Sequence, residues 1–334
     1  MKFEAYVLTA PRTLELREVE AVPRRGDLLV RVKAALTCGT DTKMYLRGHA
    51  KFDFPSRFGH ELSGTVEEAG EGVRGFGPGD DVMVPVSAPC GTCAPCRAGM
   101  ECQCETLFEA KVWGAFARYC LIPSRVAERS AFPKPKSLPF AEAALLDPLA
   151  SVVHAYEHCS VTPGGSLLVL GGGPMGFLHA ATARKRGLQV SVADPRRDRL
   201  DIFSGAGFSA IPVEKGWETS HPRRFDLVME CSGAVEAFGA ACAVLAPGGT
   251  LCMFSGLPEG QELTFDGAAL HYLQQRIVGS FHYGRRAVAE AFSLLCAREL
   301  PLAPLFSGTY PLERFPEVME KVLAGEGLKY IIEP

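Results

Sequence analysis

The sequence predicts an α/β protein in which a mostly-β module is followed by a parallel-sheet module. Three observations carry this. Residues 1 to about 130 hold short β-type runs separated by Gly and Pro turns. After the Pro-rich "FPKPKSLPF", apolar strands alternate with helix-sized segments, and a glycine pattern joins one of those strands to a helix. A chain of 334 residues also exceeds what a single core usually serves, so two domains are expected.

In chain order, "FEAYVL", "DLLVRVKAAL", "LSGTVEEAG", "DDVMVPV" and "FARYCLI" read as strands of a barrel-like or sandwich-like module, with turns such as "GFGPGDD" between them. From "AEAALLDPLASVVHAYEHC" onward, helical periodicity alternates with the strands "SLLVLG", "QVSVAD", "FDLVMEC", "GGTLCMFSG" and "RIVGSF". The boundary falls near residue 146. From residue 284 the chain carries a helix, Pro-rich turns and a terminal strand "LKYII", which can rejoin the first module.

A hydrophobic content of 47% and a charged content of 22% fit a soluble globular protein. The formal net charge of −3 offers no basic field for nucleic acid or an anionic membrane, so small molecules are the expected partners. The first twenty residues contain no uninterrupted apolar region of a secretory signal. The long uncharged run at residues 167–183 is broken by Gly171, Gly172, Gly173 and Pro174, so it reads as strand, turn and helix and not as a membrane span. A cytoplasmic protein is expected, in which Cys120, Cys159, Cys231, Cys242, Cys252 and Cys296 serve as small buried hydrophobes.

Gly171, Gly173 and Gly176, with Pro174 and Met175 between the last two, form G-x-G-x-x-G directly after a strand and before a helix. Gly171 permits the tight turn, Gly173 lets the backbone approach a pyrophosphate, and Gly176 lets the helix sit close to the strand. Asp194 ends the next strand, where a carboxylate accepts hydrogen bonds from an adenosine ribose and repels the extra phosphate of NADP; NAD is therefore expected. Arg196, Arg197 and Arg199 lie just beyond and are able to receive that phosphate, which keeps NADP as the less favoured alternative.

Cys90, Cys93 and Cys96 have C-x-x-C-x-x-C spacing among Pro89, Gly91, Pro95 and Gly99, which force turns. Such a loop brings sulfurs to one centre, as tetrahedral zinc at about 2.3 Å per thiolate requires, whereas disulfides between such near neighbours would be strained. On spacing alone the fourth ligand is Cys102 or Cys104. Four sulfurs leave zinc no open position, so this centre is structural and chemistry needs another site. "LTCGTD" supplies Cys38, Thr40 and Asp41, "RFGHELSG" supplies His60 and Glu61, and "LLDPLASVVHAY" supplies Asp147. A thiolate, an imidazole and one or two carboxylates are the ligand set of a catalytic zinc with an open position.

Taken together, "CGTD", "GHELSGTVEEAG", "GDDVMVPV", the spaced cysteines, "DPLASVVHA" and "VLGGGPMG" resemble the zinc-dependent medium-chain dehydrogenase/reductase family, in the branch of sorbitol and L-threonine dehydrogenases. The resemblance implies a GroES-like catalytic domain built from residues 1–146 and 284–334, a Rossmann NAD-binding domain at 147–283, and an active site in the cleft. It implies two zinc ions per chain. Cys38, His60 and Asp147 would hold the catalytic one, with Glu61 as an alternative ligand and Asp41 orienting His60; Cys104 would complete the structural one. The implied chemistry is hydride transfer between NAD(H) and a secondary alcohol or ketone, a polyol, sugar derivative or hydroxy amino acid, with Thr40 relaying the proton. A homodimer or homotetramer formed by edge pairing of the Rossmann sheets is likewise implied.

Two positions depart from the pattern: polyol-type enzymes usually carry glutamate where this chain has Asp147, and relatives often have a relay histidine where it has Lys43. Lys43 is a candidate for proton transfer, for holding a cofactor or substrate phosphate, or for simple solvation. Two other readings are a non-catalytic NAD- and zinc-binding redox sensor and a primary alcohol dehydrogenase, although the latter usually has a second cysteine at the position of Asp147. The pocket is expected around Tyr45, Arg47, His49 and Trp113. Trp113 and Phe116 are read as core residues, with lining of the pocket as the alternative, and His154 and His158 are expected to pack or to face solvent.

Overall fold

The computed structural model, which describes residues 1–48, 53–160, 162–220, 225–257 and 259–334, builds its first unit around the strand Leu28–Leu36. All of that strand is buried except Arg31 and Lys33. It pairs antiparallel with Glu61–Ala69, with Tyr119–Ile122 and, at its far end, with Lys329–Glu333. The sheet runs Phe306–Pro311, Lys329–Glu333, Leu28–Leu36, Glu61–Ala69, Asp81–Val84, Phe132–Pro133, with Tyr119–Ile122 joined to Leu28–Leu36. A separate sheet pairs Lys2–Ala10 with Thr13–Glu20 and Ser56–Arg57. The enclosed core includes Tyr6, Phe58, Phe116 and Phe315, the last two stacked with ring centroids 4.0 Å apart. Gly64 has a specific reason: a Cβ there would lie 2.1 Å from the Arg31 carbonyl oxygen across the sheet.

At one end of this sheet the register brings three chain segments level. Leu36 lies opposite Glu61 on one neighbour and opposite Ile331 on another. Cys38 comes two residues later as the N-cap of the helix Gly39–Arg47. Side chains far apart in sequence are thus delivered to one place by strand pairing.

Contacts assign Met1–Ala150, Tyr283–Arg298 and Phe306–Pro334 to this unit, and Ser151–His282 with Glu299–Leu305 to a second. The seams fall after Ala150 and before Tyr283, so Asp147 and Tyr283 both lie in the first unit, and residues 299–305 return to the second. The second unit is a parallel sheet ordered Ser209–Pro212, Gln189–Asp194, Ser166–Leu170, Phe225–Glu230, Leu245–Met253, Arg276–Gly279. Ser166–Leu170 comes first in sequence and lies in the middle; the chain builds outward from it on one side, then on the other. The order therefore reverses beside its carboxyl end, where Gly171 begins the glycine turn, the place at which such sheets bind ligands. Ser209–Pro212 and, in the first unit, Thr13–Glu20 are strands that the apolar pattern does not announce, because the former is short and the latter largely exposed.

The helix Pro174–Lys185 packs on this sheet and buries His179 completely. Its ring meets Phe254 edge-on at 4.5 Å between centroids, and neither ring nitrogen has a hydrogen-bond partner among the described residues. Burial lowers its pKa to about 3, against about 6.5 for an unfolded histidine. Between these values the unfolded chain binds a proton that the folded chain refuses, so stability falls as pH drops below about 6.5. We expect His179→Phe to flatten this acid-side slope by about 1.4 kcal/mol per pH unit, the contribution of one proton. Denaturant titrations of both proteins across that range check it; parallel slopes would refute the assignment.

Candidate active site and metal centres

Cys38, His60 and Glu61 offer ligand atoms that all lie within 4.8 Å of one another. Cys38 is half-buried, and His60 and Glu61 are buried. Asp41, one turn into the helix Gly39–Arg47, supports two of these positions. One carboxylate oxygen accepts from the Cys38 backbone N–H at 2.9 Å, and the other stands 3.5 Å from His60 Nδ1. Trp113 stacks flat on the His60 ring, with centroids 5.2 Å apart and planes 4° from parallel. Burial disfavours a charged His60, but the adjoining Cys38 sulfur and Asp41 outweigh it and raise the pKa of the ring well above its ordinary value.

Glu61 has a partner that local sequence spacing does not reveal. Lys329, on the terminal strand, is buried to 1% exposure, donates to one oxygen of Glu61, and donates to the Thr37 carbonyl at 2.9 Å. Burial works against the Lys329 ammonium, but the adjoining carboxylate prevails and raises its pKa. The other oxygen of Glu61, Oε1, is buried and without a hydrogen-bond partner among the described residues, whereas His60 Nδ1 and Asp41 Oδ1, which make no other hydrogen bond, face each other at 3.5 Å. Buried polar atoms of this kind are costly unless something binds them. A divalent cation fits the set: soft sulfur, borderline nitrogen and hard oxygen converge with polar capacity to spare.

Asp147 is not gathered with these three. Its Oδ1 accepts from the Val86 backbone N–H at 2.7 Å and from the hydroxyl of Tyr283, whose own oxygen accepts from the same N–H at 3.1 Å. Burial and then Asp147 raise the pKa of Tyr283 well above its usual value, so its hydroxyl remains a donor. The structure thus places Glu61 in the donor cluster and ties Asp147 into a buried hydrogen-bonded pair, at a distance from which its charge still acts on Glu61. Thr40 and Lys43 lie on the helix Gly39–Arg47, Thr40 half-buried and Lys43 exposed. Tyr45 and Arg47 close that helix, and His49 lies outside the described residues. Phe116 is a core residue.

The second cluster brings Cys90, Cys93, Cys96 and Cys104 within 4.8 Å of one another; Cys102 is not among the four. Cys90 receives the Thr92 hydroxyl at 3.5 Å and the backbone N–H groups of Thr92 and Cys93 at 3.4 and 3.3 Å, and these donors lower its pKa to about 5. The Cys90 N–H in turn donates to Cys104 Sγ at 3.2 Å. N–H groups aimed at sulfur are the environment of thiolates ligating a metal, and this set fits zinc.

In the second unit, Gly171 has φ +109°, and a Cβ on it would meet Ser232 N at 2.9 Å. Gly173 is the N-cap of the helix Pro174–Lys185, with open space where a Cβ would project; a Cβ on Gly176 would stand 2.0 Å from the Gly171 carbonyl oxygen. Pro174 occupies the first helical position, with half-buried Met175 after it. Open space at a helix N-terminus, flanked by backbone that tolerates no side chain, fits a pyrophosphate. Asp194 accepts from the Gly172 N–H at 2.7 Å and from the Arg196 N–H at 2.8 Å, which fixes its carboxylate beside the turn. The Arg199 Cβ would be 3.2 Å from a Cβ on Gly172, so Arg199 also borders it, whereas Arg196 pairs with Asp198. His154 pairs with Glu157 at 2.8 Å and faces His158 Nε2 at 3.3 Å, so the two histidines engage each other.

Residues 24–135 match the alcohol dehydrogenase GroES-like domain and residues 174–297 the zinc-binding dehydrogenase domain. D-xylulose reductase A of Aspergillus oryzae is 30% identical over 336 residues, covering 95% of this chain and 92% of that one. Among solved structures, a protein of Sinorhizobium meliloti 1021 bound to NADP superposes with a TM-score of 0.89 at 27% identity, each chain covered completely. A cobalt- and zinc-bound thermostable alcohol dehydrogenase of Pyrobaculum aerophilum gives a TM-score of 0.87 at 25% identity over the whole of both chains.

Elemental analysis should find about two zinc ions per chain. Cys96→Ser should remove about one of them and lower Tm, because the cysteine loop loses its cross-link. Cys38→Ser should remove about one while leaving Tm closer to that of the parent protein, since its neighbours are held by sheet pairing.

Proposed function

Because the chain belongs to the zinc-dependent alcohol and polyol dehydrogenases of the medium-chain type, we propose that it interconverts a polyol and its ketose, with NAD(H) as partner and Cys38, His60 and Glu61 holding the catalytic ion. The observation that carries this reading is the convergence of three unlike donors around buried, unpartnered polar atoms. Zinc held there would supply Lewis-acid polarisation of an alcohol oxygen, and a bound nicotinamide would supply the hydride acceptor.

This chain's own residues do the rest. Asp41 holds the His60 ring in orientation, as a carboxylate partner does for a metal-bound histidine. Lys329 balances Glu61, and Trp113 keeps one face of His60 dry. Thr40, at the start of the same helix as Cys38, carries the alcohol proton outward. Asp147, restrained by Val86 and Tyr283, adds negative charge beside the cluster without entering it. Lys43 stands exposed on the helix and serves as a solvated cation. The glycine turn and the first turn of the helix Pro174–Lys185 cradle the pyrophosphate.

Asp194 supports NAD over NADP, since its fixed carboxylate accepts from ribose hydroxyls and repels a 2′-phosphate. The similarity to a D-xylulose reductase supports a five-carbon substrate such as xylitol. The edge of the second unit's sheet supports a homo-oligomer. Arg276–Gly279 ends it, beside a groove lined by Leu245, Phe265, Leu270, Leu273 and Ile277, with Phe265 50% exposed. A reducing, cytoplasmic setting suits a site whose thiols must stay reduced.

The test is NADH formation by the zinc-loaded protein with xylitol and other polyols, and NADH consumption with D-xylulose. Saturable turnover is expected, reduced about 100-fold or more in Glu61→Gln. No turnover with any polyol or ketose would remove the reading. The ratio of kcat/KM for NAD to that for NADP should favour NAD, and Asp194→Ala should narrow it by about tenfold, near 1.4 kcal/mol.

A further inference from the structure

Glu101 lies inside the four-cysteine loop, at the start of the short turn Glu101–Gln103 that leads into Cys104. Its carboxylate does not serve that loop. Oε2 accepts from the backbone N–H of Arg285 at 2.8 Å, and Oε1 accepts from Arg285 Nε at 2.8 Å. Arg285 opens the helix Arg285–Ala297, whose N-cap, Gly284, contributes no side chain. Glu101 therefore supplies the missing cap from a distant loop, satisfying an orphan N–H and placing negative charge at the positive end of the helix. Gly284 permits the approach: a Cβ there would stand 3.1 Å from Glu101 Oε2 and 3.3 Å from Glu101 Cβ.

One residue before Gly284 is Tyr283, whose buried hydroxyl holds Asp147. The same Asp147 oxygen and the same hydroxyl both receive the N–H of Val86, four residues before Cys90. The cysteine loop thus grips residues 283–285 twice, through Val86 at its base and through Glu101 near its end. An exposed Arg–carboxylate pair contributes little to stability by itself. Its effect here is to fix where a helix begins, and with it the tyrosine immediately upstream.

We propose that the four-cysteine loop positions Asp147 through Glu101, Arg285 and Tyr283, so that metal in the loop tunes the Cys38–His60–Glu61 site. Glu101 and Tyr283 are positioning residues; neither touches the donors. The inference rests on the reading of Cys38, His60 and Glu61 as the holder of the second ion.

The experiment follows zinc transfer from the full-length, zinc-loaded protein to a chromophoric chelator, with Cys38→Ser identifying the phase that belongs to the Cys38 site. Glu101→Ala and Tyr283→Phe should each speed that phase by about tenfold, the scale on which outer partners of metal ligands act. The double variant should be no faster than the faster single one, because both break one path. Glu101→Gln, which keeps an oxygen acceptor for the Arg285 N–H, should restore most of the parent rate. With xylitol, kcat should fall in both single variants and KM should change little. An unchanged Cys38-site phase in Glu101→Ala, or effects that multiply in the double variant, would overturn the coupling alone. A parent protein that releases zinc only from the cysteine loop would overturn the reading of the Cys38 site, and the coupling with it.

Discussion

Buried negative charge is the constraint around which the first unit is organised. Asp41 and Glu61 are buried beside the half-buried thiol of Cys38, Asp147 is buried where its charge acts on Glu61, and Lys329 is a buried cation that meets Glu61. Ions removed from water cost several kcal/mol each unless closely matched. One ammonium matches one carboxylate, and hydrogen bonds from Val86 and Tyr283 satisfy part of Asp147. What remains, the second oxygen of Glu61 beside the Cys38 sulfur and the His60 ring, is a donor set suited to a dication. The family to which the chain belongs uses zinc, and the side chains agree with that on charge as well as on ligand type.

The two clusters achieve convergence by opposite means. The four cysteines sit on one short loop whose turns are set by Gly91 and Gly99, both at positive φ. Their meeting depends on local geometry. Cys38, His60 and Lys329 come from the ends of separate strands, and they meet because Leu36 pairs with Glu61 on one side and Ile331 on the other. A one-residue slip in either register would turn that strand's side chains to the opposite face and break up the set.

That difference explains what was legible in the sequence. The glycine turn and the cysteine spacing could be read directly, because each encodes its geometry within a few residues; Gly176, for example, is required by a contact only five positions back. The two-module architecture was equally legible from the change in apolar period. Glu61 and Asp147 both carry the right chemistry for a zinc ligand, and only the fold distinguishes them, by bringing Glu61 and not Asp147 within 4.8 Å of the Cys38 and His60 donor atoms. Tyr283, Lys329 and Glu101 gave no signal, because their partners lie 136, 268 and 184 residues away along the chain. An aromatic ahead of a helix and a lysine in a terminal strand look like ordinary core and surface residues until the pairing is seen.

The strand Lys329–Glu333 has a bearing on how the protein is made. Until that segment has left the ribosome, Leu36 lacks one of its neighbours and Glu61 lacks its counter-ion. The cysteine loop, whose four ligands all lie between Cys90 and Cys104, waits on no such distant partner.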